Sequence, residues 1–408
     1  MSTPRIIVIG LGIGGAATAL SLEKSGLDYL ILEQAPELGE VGAGLQMSPN
    51  ASRIMAWLGL AEPLKSIAVE PQAHLFLDGL SADVLMQTPL MPEVERAFGA
   101  PYYHVHRADL LRLLTSHVDM SRVRLDTKVS AVRQTDRGVQ VDLANGETLK
   151  ADVVIGADGI RSVLRQQIFN PAPPSPSGCI AWRALVPVAK ARELGFERNS
   201  YVWMGPKRSV VMYYVRAGEL FNWVGITPYD AQRAESWSAQ APREAALNQY
   251  EGWHEQVTSL IEASQSLFVT AISDRAPLDR WVNGRIALMG DAAHAMLPFH
   301  AQGAVQSIED AWVLARCLER GQDSLPAALL RYQELRHDRA TRVQQQSRAA
   351  EHTFHMSDAS DVEARNTRFK QMQAKAANGF PRGQQWLFAY DAEQAVLGND
   401  DAWRSLSW

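Results

Sequence analysis

Apolar residues run unbroken from Ile6 to Ile9, meet Gly10-Leu11-Gly12-Ile13-Gly14-Gly15, and resume in an Ala- and Leu-rich stretch ending near Gly26. A short apolar run stopped by glycine predicts a buried strand, and the longer run behind it predicts a helix. A second apolar run, Tyr29 to Leu32, predicts the next strand and ends at Glu33. His74 to Leu77 and Val84 to Met86 flank Asp78-Gly79 in a hairpin-like arrangement. Val123 to Leu125, Lys128 to Gln134, Gly138 to Leu143 and Glu147 to Ile155 read as successive strands, with Asn145-Gly146 at one turn. Pro171 to Gly178 is a linker by composition. Beyond it Ile180 to Val186, Tyr201 to Met204, Ser209 to Val215 and Leu220 to Ile226 predict an aromatic-rich antiparallel meander, a second domain. Arg285 to Met289 predicts a buried strand, Gly303 to about Glu319 a helix, and the stretch from Pro326 to about His355 a longer one. The remainder is dotted with aromatics but weakly patterned.

The glycines are spaced as G-x-G-x-x-G between a strand and a helix, the order of a dinucleotide-binding turn. Gly10 permits the tight turn, Gly12 admits a pyrophosphate to the backbone, and Gly15 lets helix and strand pack closely. The phosphate then meets free N–H groups at a helix N-terminus. Glu33 stands where a ribose-binding carboxylate is expected, and its charge would repel a 2′-phosphate.

Composition narrows the class. At 408 residues the chain exceeds one ordinary core, so two domains, or one with an insertion, are expected. A hydrophobic fraction of 46% and a charged fraction of 21% describe an ordinary soluble globule. A net charge of −5 with no long Lys/Arg run argues against nucleic-acid or membrane surfaces and leaves small molecules as partners. Cys179 and Cys317 form neither a C-x-x-C nor a His-rich pattern, so no disulfide framework and no metal site is expected, and both read as inert thiols suited to a reducing cytoplasm. No signal-peptide pattern or membrane-length apolar run stands out, so a cytoplasmic protein, monomer or homodimer, is expected.

Two further segments join the glycine loop. Ile155-Gly156-Ala157-Asp158-Gly159-Ile160-Arg161-Ser162 ends one strand, and Gly290-Asp291-Ala292-Ala293-His294 ends another, with Pro298 and Gln302-Gly303 ahead of a helix. In this order the three resemble the fingerprints of single-component FAD-dependent aromatic hydroxylases. Glu40 to Asn50, Val105 to Leu110 and Ala301 to Ala311 look most like the branch of salicylate hydroxylase, 3-hydroxybenzoate 6-hydroxylase and 6-hydroxynicotinate 3-monooxygenase. The implied fold is α/β, a Rossmann-like FAD-binding domain with an inserted mixed or antiparallel sheet domain and a helical C-terminal region. The corresponding boundaries are 1–72, 98–177 and 272–345 for FAD, 73–97 and 178–271 for substrate, and 346–408 for the C-terminal region.

The resemblance implies a cofactor set of Gly10, Gly12, Gly14, Gly15, Glu33, Gln34, Gln46, Arg107, Val129, Asp158, Asp291, Gly303 and Ala304. Glu33 would hold the adenosine ribose, Val129 the adenine by backbone, and Arg107 and Asp291 the pyrophosphate and ribityl region. Gln46 would lie near the flavin. The helix after Gly303 would aim its amides at the pyrimidine end of the isoalloxazine. Asp158 and Arg161 match a segment tied to FAD and to NADH or NADPH, which would visit as co-substrate. His294 is read as shaping the flavin loop, and Trp182, Trp203 and Trp223 as core.

Substrate candidates are Arg183, Tyr213, Tyr214, Phe299 and His300. His300, or Tyr213 if His300 faces outward, is the candidate catalytic group, since a neutral imidazole can take a phenolic proton. Phe299, Ser209 and Gln46 stand where the hydroxynicotinate enzyme has histidines. Arg183 either clamps a carboxylate or pairs structurally within its strand. The implied activity is NAD(P)H-consuming hydroxylation, with or without decarboxylation, of a phenolic or hydroxy-N-heteroaromatic carboxylate through a flavin hydroperoxide, as in aromatic-compound catabolism. Epoxidation, N-hydroxylation and Baeyer–Villiger insertion are alternatives on the same scaffold. A plain NAD-dependent dehydrogenase and a non-catalytic flavin-binding sensor are rivals from other classes.

Overall fold

A computed structural model describes residues 6–39, 43–169, 172–228, 239–240, 242–374 and 382–399. The fold is mixed α/β. Its centre is a six-stranded sheet in the order Val282–Asn283, Ile286–Leu288, Val153–Gly156, Ile6–Ile9, Tyr29–Leu32 and Val123–Arg124. All neighbours pair in parallel except the first two. The parallel strands are buried on both faces, which is why they read as continuous apolar runs.

The sequence from Glu147 to Ile155 is two strands rather than the single one expected. Thr148–Ala151 pairs antiparallel with Gly138–Leu143 in a small separate sheet, whereas Val153–Gly156 enters the central one. The pattern changes at this point, from alternating Thr-Leu-Lys-Ala to unbroken Val-Val-Ile. The expected linker also needs correction, because its second half opens the long strand Ser175–Pro187. Pro176 is tolerated there since the ladder slips register between Pro176 and Ile180. Pro171 itself lies outside the described residues, as do Glu40, Val41 and Gly42 of the second glycine-containing loop.

The meander Ser200–Gly205, Arg208–Val215 and Leu220–Pro228 belongs to an eight-stranded sheet. Ser175–Pro187 and Phe268–Asp274 extend it on one side, and the hairpin Ala73–Asp78 with Val84–Pro89 extends it on the other. One face carries its own core, in which Trp182, Trp203 and Trp223 are buried with Tyr250, Trp253 and Phe221. The opposite face looks toward the helix Gly303–Arg320, the 30-residue helix Leu325–Phe354, and the loop between Gly290 and Gly303.

Candidate active site

Three strand-to-helix turns converge on one cavity of about 1140 Å3. Gly12, Ile13 and Gly14 come from the first turn, Ala157 and Gly159 from the second, and Gly290, Asp291 and Met296 to Ala304 from the third. Small-ligand pockets usually hold about 300–1,000 Å3, so this one has room for a flat cofactor portion and a second small molecule.

The glycines divide the labour. Gly10 adopts φ +101°, and a Cβ on it would lie 2.5 Å from Ala157 O. A Cβ on Gly15 would lie 2.0 Å from Gly10 O, so helix and loop touch only because it is absent. A Cβ on Gly12 would meet nothing within 4 Å, and the space it faces is the cavity. The helices Ile13–Lys24 and Gly303–Arg320 both start without a side-chain cap or an acidic residue in the first turn, leaving amides directed at the same cavity. Gly14, Gly303 and Ala304 line these two ends. Uncapped helix amides, a backbone cradle and a cavity of this volume together fit a pyrophosphate-linked flavin.

Glu33 lies outside the cavity, beside the glycine turn. Its carboxylate accepts from Leu11 N at 2.7 Å and from Ala35 N at 2.8 Å, each oxygen retaining a lone pair. Thr127 N donates to Glu33 O at 2.8 Å, which brings the strand beginning at Val129 alongside. Val129 itself is buried in the core, and Gln34 is exposed. Arg107 opens its helix at the cavity wall. Asp158 does not line the cavity: one carboxylate oxygen accepts from Val163 N at 2.8 Å, and the other is buried without a hydrogen-bond partner among the described residues. Burial holds this carboxyl above its ordinary range against the hydrogen bonds from Ser162 and Val163. Arg161 is exposed and also off the cavity wall.

Asp291 is exposed on the wall, directly after Gly290 at φ +56°. His294 points away from the cavity, its Nε2 2.6 Å from Asp310 Oδ2. The same oxygen accepts from Gly290 N at 2.9 Å, and Arg336 Nε donates to Asp310 Oδ1 at 2.8 Å. Burial alone would raise the Asp310 carboxyl, but His294 and Arg336 hold it down at about 2. Beside it Glu309 pairs with Arg336 and Arg339 and accepts from Asn50. This buried ion cluster fixes the turn and the helix that face the cavity.

On the sheet side, Arg183 and Tyr213 line the cavity, whereas Tyr214 does not. Successive residues of a strand face opposite sides, so the two tyrosines cannot share a pocket. Tyr214 packs in the tryptophan core and donates to Phe196 O at 2.6 Å. The Tyr213 ring sits 4.3 Å from that of His104, and burial pushes its phenol upward despite Arg183. Arg183 has no hydrogen-bonded acceptor among the described residues, and burial holds its guanidinium below the usual range. Phe299 and His300 line the opposite wall, half buried, with the His300 imidazole pushed down to about 4 by burial.

Gln46, on the strand Gly44–Met47, accepts from Tyr102 Oη at 2.5 Å and lies 3.2 Å from His74 Nε2. Tyr102 and His74 line the cavity too, and no motif in the sequence marked them. The far end is lined by Phe354 at the end of the long helix and by Arg368, Phe369, Leu387 and Phe388 from the stretch after it, whose pattern was weakest. Only long-range packing assembles that wall.

A family model described as an FAD binding domain matches residues 3–347. The chain is 34% identical over 371 residues to 3-amino-4-hydroxybenzoate 2-monooxygenase of Streptomyces cremeus, covering 90% of this chain and 92% of that protein. It is 34% identical over 347 residues to 6-hydroxynicotinate 3-monooxygenase of Pseudomonas fluorescens, covering 84% and 90%. The solved salicylate hydroxylase substrate complex superposes with a TM-score of 0.83 at 27% identity, over 97% of this chain and 98% of that one. Among the described residues no helix is long and apolar enough to cross a membrane. Three glycine-bearing turns around one cavity, and likeness over nearly the full length, identify the chain as a member of the FAD-binding aromatic hydroxylase family and an FAD-dependent monooxygenase.

Proposed function

We propose that the cavity hydroxylates a small phenolic or hydroxy-N-heteroaromatic carboxylate with NADH or NADPH as electron donor. The observation that carries this reading is Arg183, a cation on the cavity wall with no acceptor among the described residues. A guanidinium in that position is completed by a carboxylate, which it holds through two parallel hydrogen bonds. Bound FAD supplies the redox chemistry and activates dioxygen.

The chain's residues do the rest. Gly12, Gly14 and the amides behind them would hold the pyrophosphate, Glu33 the adenosine ribose, and Asp291 the ribityl side. Gly303 and Ala304 would present amides to negative charge gathering on a bound flavin ring. Tyr213, its phenol held protonated, donates to the substrate. A ring nitrogen of His300, neutral at pH 7, accepts a hydrogen bond from the substrate hydroxyl and polarises it. Phe299, Val224, Ile226 and Leu297 exclude water from the ring between them.

Arg183→Met tests the reading with paired substrates, a hydroxybenzoate and the phenol lacking its carboxylate. Hydrogen bonds to charged groups are worth about 1.5–3 kcal/mol, so KM for the carboxylate should rise roughly 10- to 150-fold while the phenol is little affected. An equal change for both would remove Arg183 from carboxylate recognition.

A further inference from the structure

Away from the active site, one strand and one helix bring a thiol, a carboxylate and an imidazole together. Cys179 lies in the register slip between Pro176 and Ile180, directly after Gly178 at φ +78°. Irregularities of this kind re-aim a side chain. Glu351 and His355 are four residues apart at the end of the helix Leu325–Phe354, a spacing that sets two side chains on one face. One ligand atom from each of the three lies within 4.8 Å of the others. All three are half buried on the wall of a cavity of about 340 Å3 that shares no lining residue with the active site.

The contacts already converge. The Cys179 thiol donates to Glu351 Oε1 at 3.4 Å, and the Ser209 hydroxyl lies 2.9 Å from His355 Nε2, anchoring the ring. Sulfur, nitrogen and carboxylate oxygen together suit Zn2+ and Co2+, whereas Mg2+ and Ca2+ favour oxygen alone. Bond lengths of about 2.0–2.3 Å in a tetrahedral site place ligand atoms roughly 3.3–3.8 Å apart. Side-chain rotations closing the cluster by about 1 Å would therefore complete it. Two cations line the same cavity: Arg348 is paired with Asp274 at 2.5 Å, and Lys207 opposes a bound cation.

We propose that Cys179, Glu351 and His355 bind one divalent ion of the Zn2+ class, with water at the remaining position. Binding releases the thiol proton to solvent, leaving a thiolate and a carboxylate to neutralise the dication. The sequence argued against zinc because Cys179 and Cys317 show neither C-x-x-C nor His-rich spacing, and it could not show Glu351, 172 positions away, as a neighbour of Cys179. The site also touches the active-site wall, since the Phe299 ring packs edge-on against His355 at 5.3 Å.

The test is titration of chelator-treated holoprotein with Co2+ alone, read by difference absorption. One Co2+ per chain should bind with a thiolate-to-cobalt charge-transfer band, and Zn2+ should displace it. Cys179→Ser should abolish the band, and His355→Ala and Glu351→Gln should each weaken binding beyond the about 10- to 100-fold that loss of an outer hydrogen bond costs. Flavin content and melting temperature show that each variant is folded. Absence of a thiolate band in the wild type, or a band that survives in Cys179→Ser, overturns the proposal.

Discussion

Gly12→Ala separates what the glycine turn does for the chain from what it does for the cofactor. Gly12 has φ −75° and ψ −171°, an extended conformation open to alanine, and an added Cβ meets no protein atom within 4 Å. Replacing an N-cap glycine with alanine costs up to about 1 kcal/mol. Reduced freedom of the unfolded chain returns about 0.4–1 kcal/mol, so the stability of the FAD-free protein should barely change. The methyl group, however, occupies the face from which a pyrophosphate would approach the backbone. Losing one charge-assisted hydrogen bond there costs about 1.5–3 kcal/mol, which raises the Kd for FAD roughly 10- to 150-fold. Urea unfolding of stripped protein gives the first quantity, and quenching of FAD fluorescence on titration gives the second. If stability is unchanged and FAD binds within about threefold of wild type, the pyrophosphate does not lie against Gly12 and the cofactor assignment fails at its best-defined point.

Tyr213→Phe should slow hydroxylation with FAD still bound, whereas Tyr214→Phe should leave turnover intact and lower the melting temperature, because its hydroxyl serves Phe196 O in the core; equal losses of turnover would contradict the face assignment. Asp291→Ala should release FAD more readily than His294→Ala, while the latter should destabilise the fold more by leaving Asp310 short of a partner; a flavin-release titration with the opposite order would reverse the two roles. His74 is buried and held at about 4 against an ordinary value of 6.5. Between those values the unfolded chain takes a proton that the folded chain refuses, so stability is fully present above pH 6.5 and falls as pH drops toward 4, by ~3 kcal/mol for this residue at about 1.4 kcal/mol per pH unit. His74→Gln should flatten that limb of the pH–stability curve, and an unchanged slope would show that His74 titrates normally.

The nucleotide-binding half was legible because its chemistry is local. Gly10, Gly12, Gly15 and Glu33 act through a turn and the strand ends beside it, and those appear in sequence as fixed spacings. The long helices were equally plain from Gly303 and Pro326 onward. Tyr214 failed for a reason the sequence does contain, since strand alternation forbids adjacent residues from facing one pocket. The strand at Ser175 was hidden by its prolines, which are compatible with a register slip. His74, Tyr102 and the wall of Phe354, Phe369 and Phe388 were hidden more deeply. Their meeting depends on how a hairpin and the C-terminal helices dock, and nothing in their spacing encodes that contact.

Fold, cavity and relatives together assign this chain the insertion of oxygen from dioxygen into an aromatic carboxylate. Turnover of a hydroxybenzoate and hydroxynicotinate panel under isotope-labelled dioxygen, with NAD(P)H loss and product mass followed together, tests it most directly. NAD(P)H consumption should be stimulated by at least one member of the panel and matched by a product carrying one labelled oxygen on the ring. Consumption that ends only in hydrogen peroxide across the panel, or a product whose new oxygen comes from water, would contradict it.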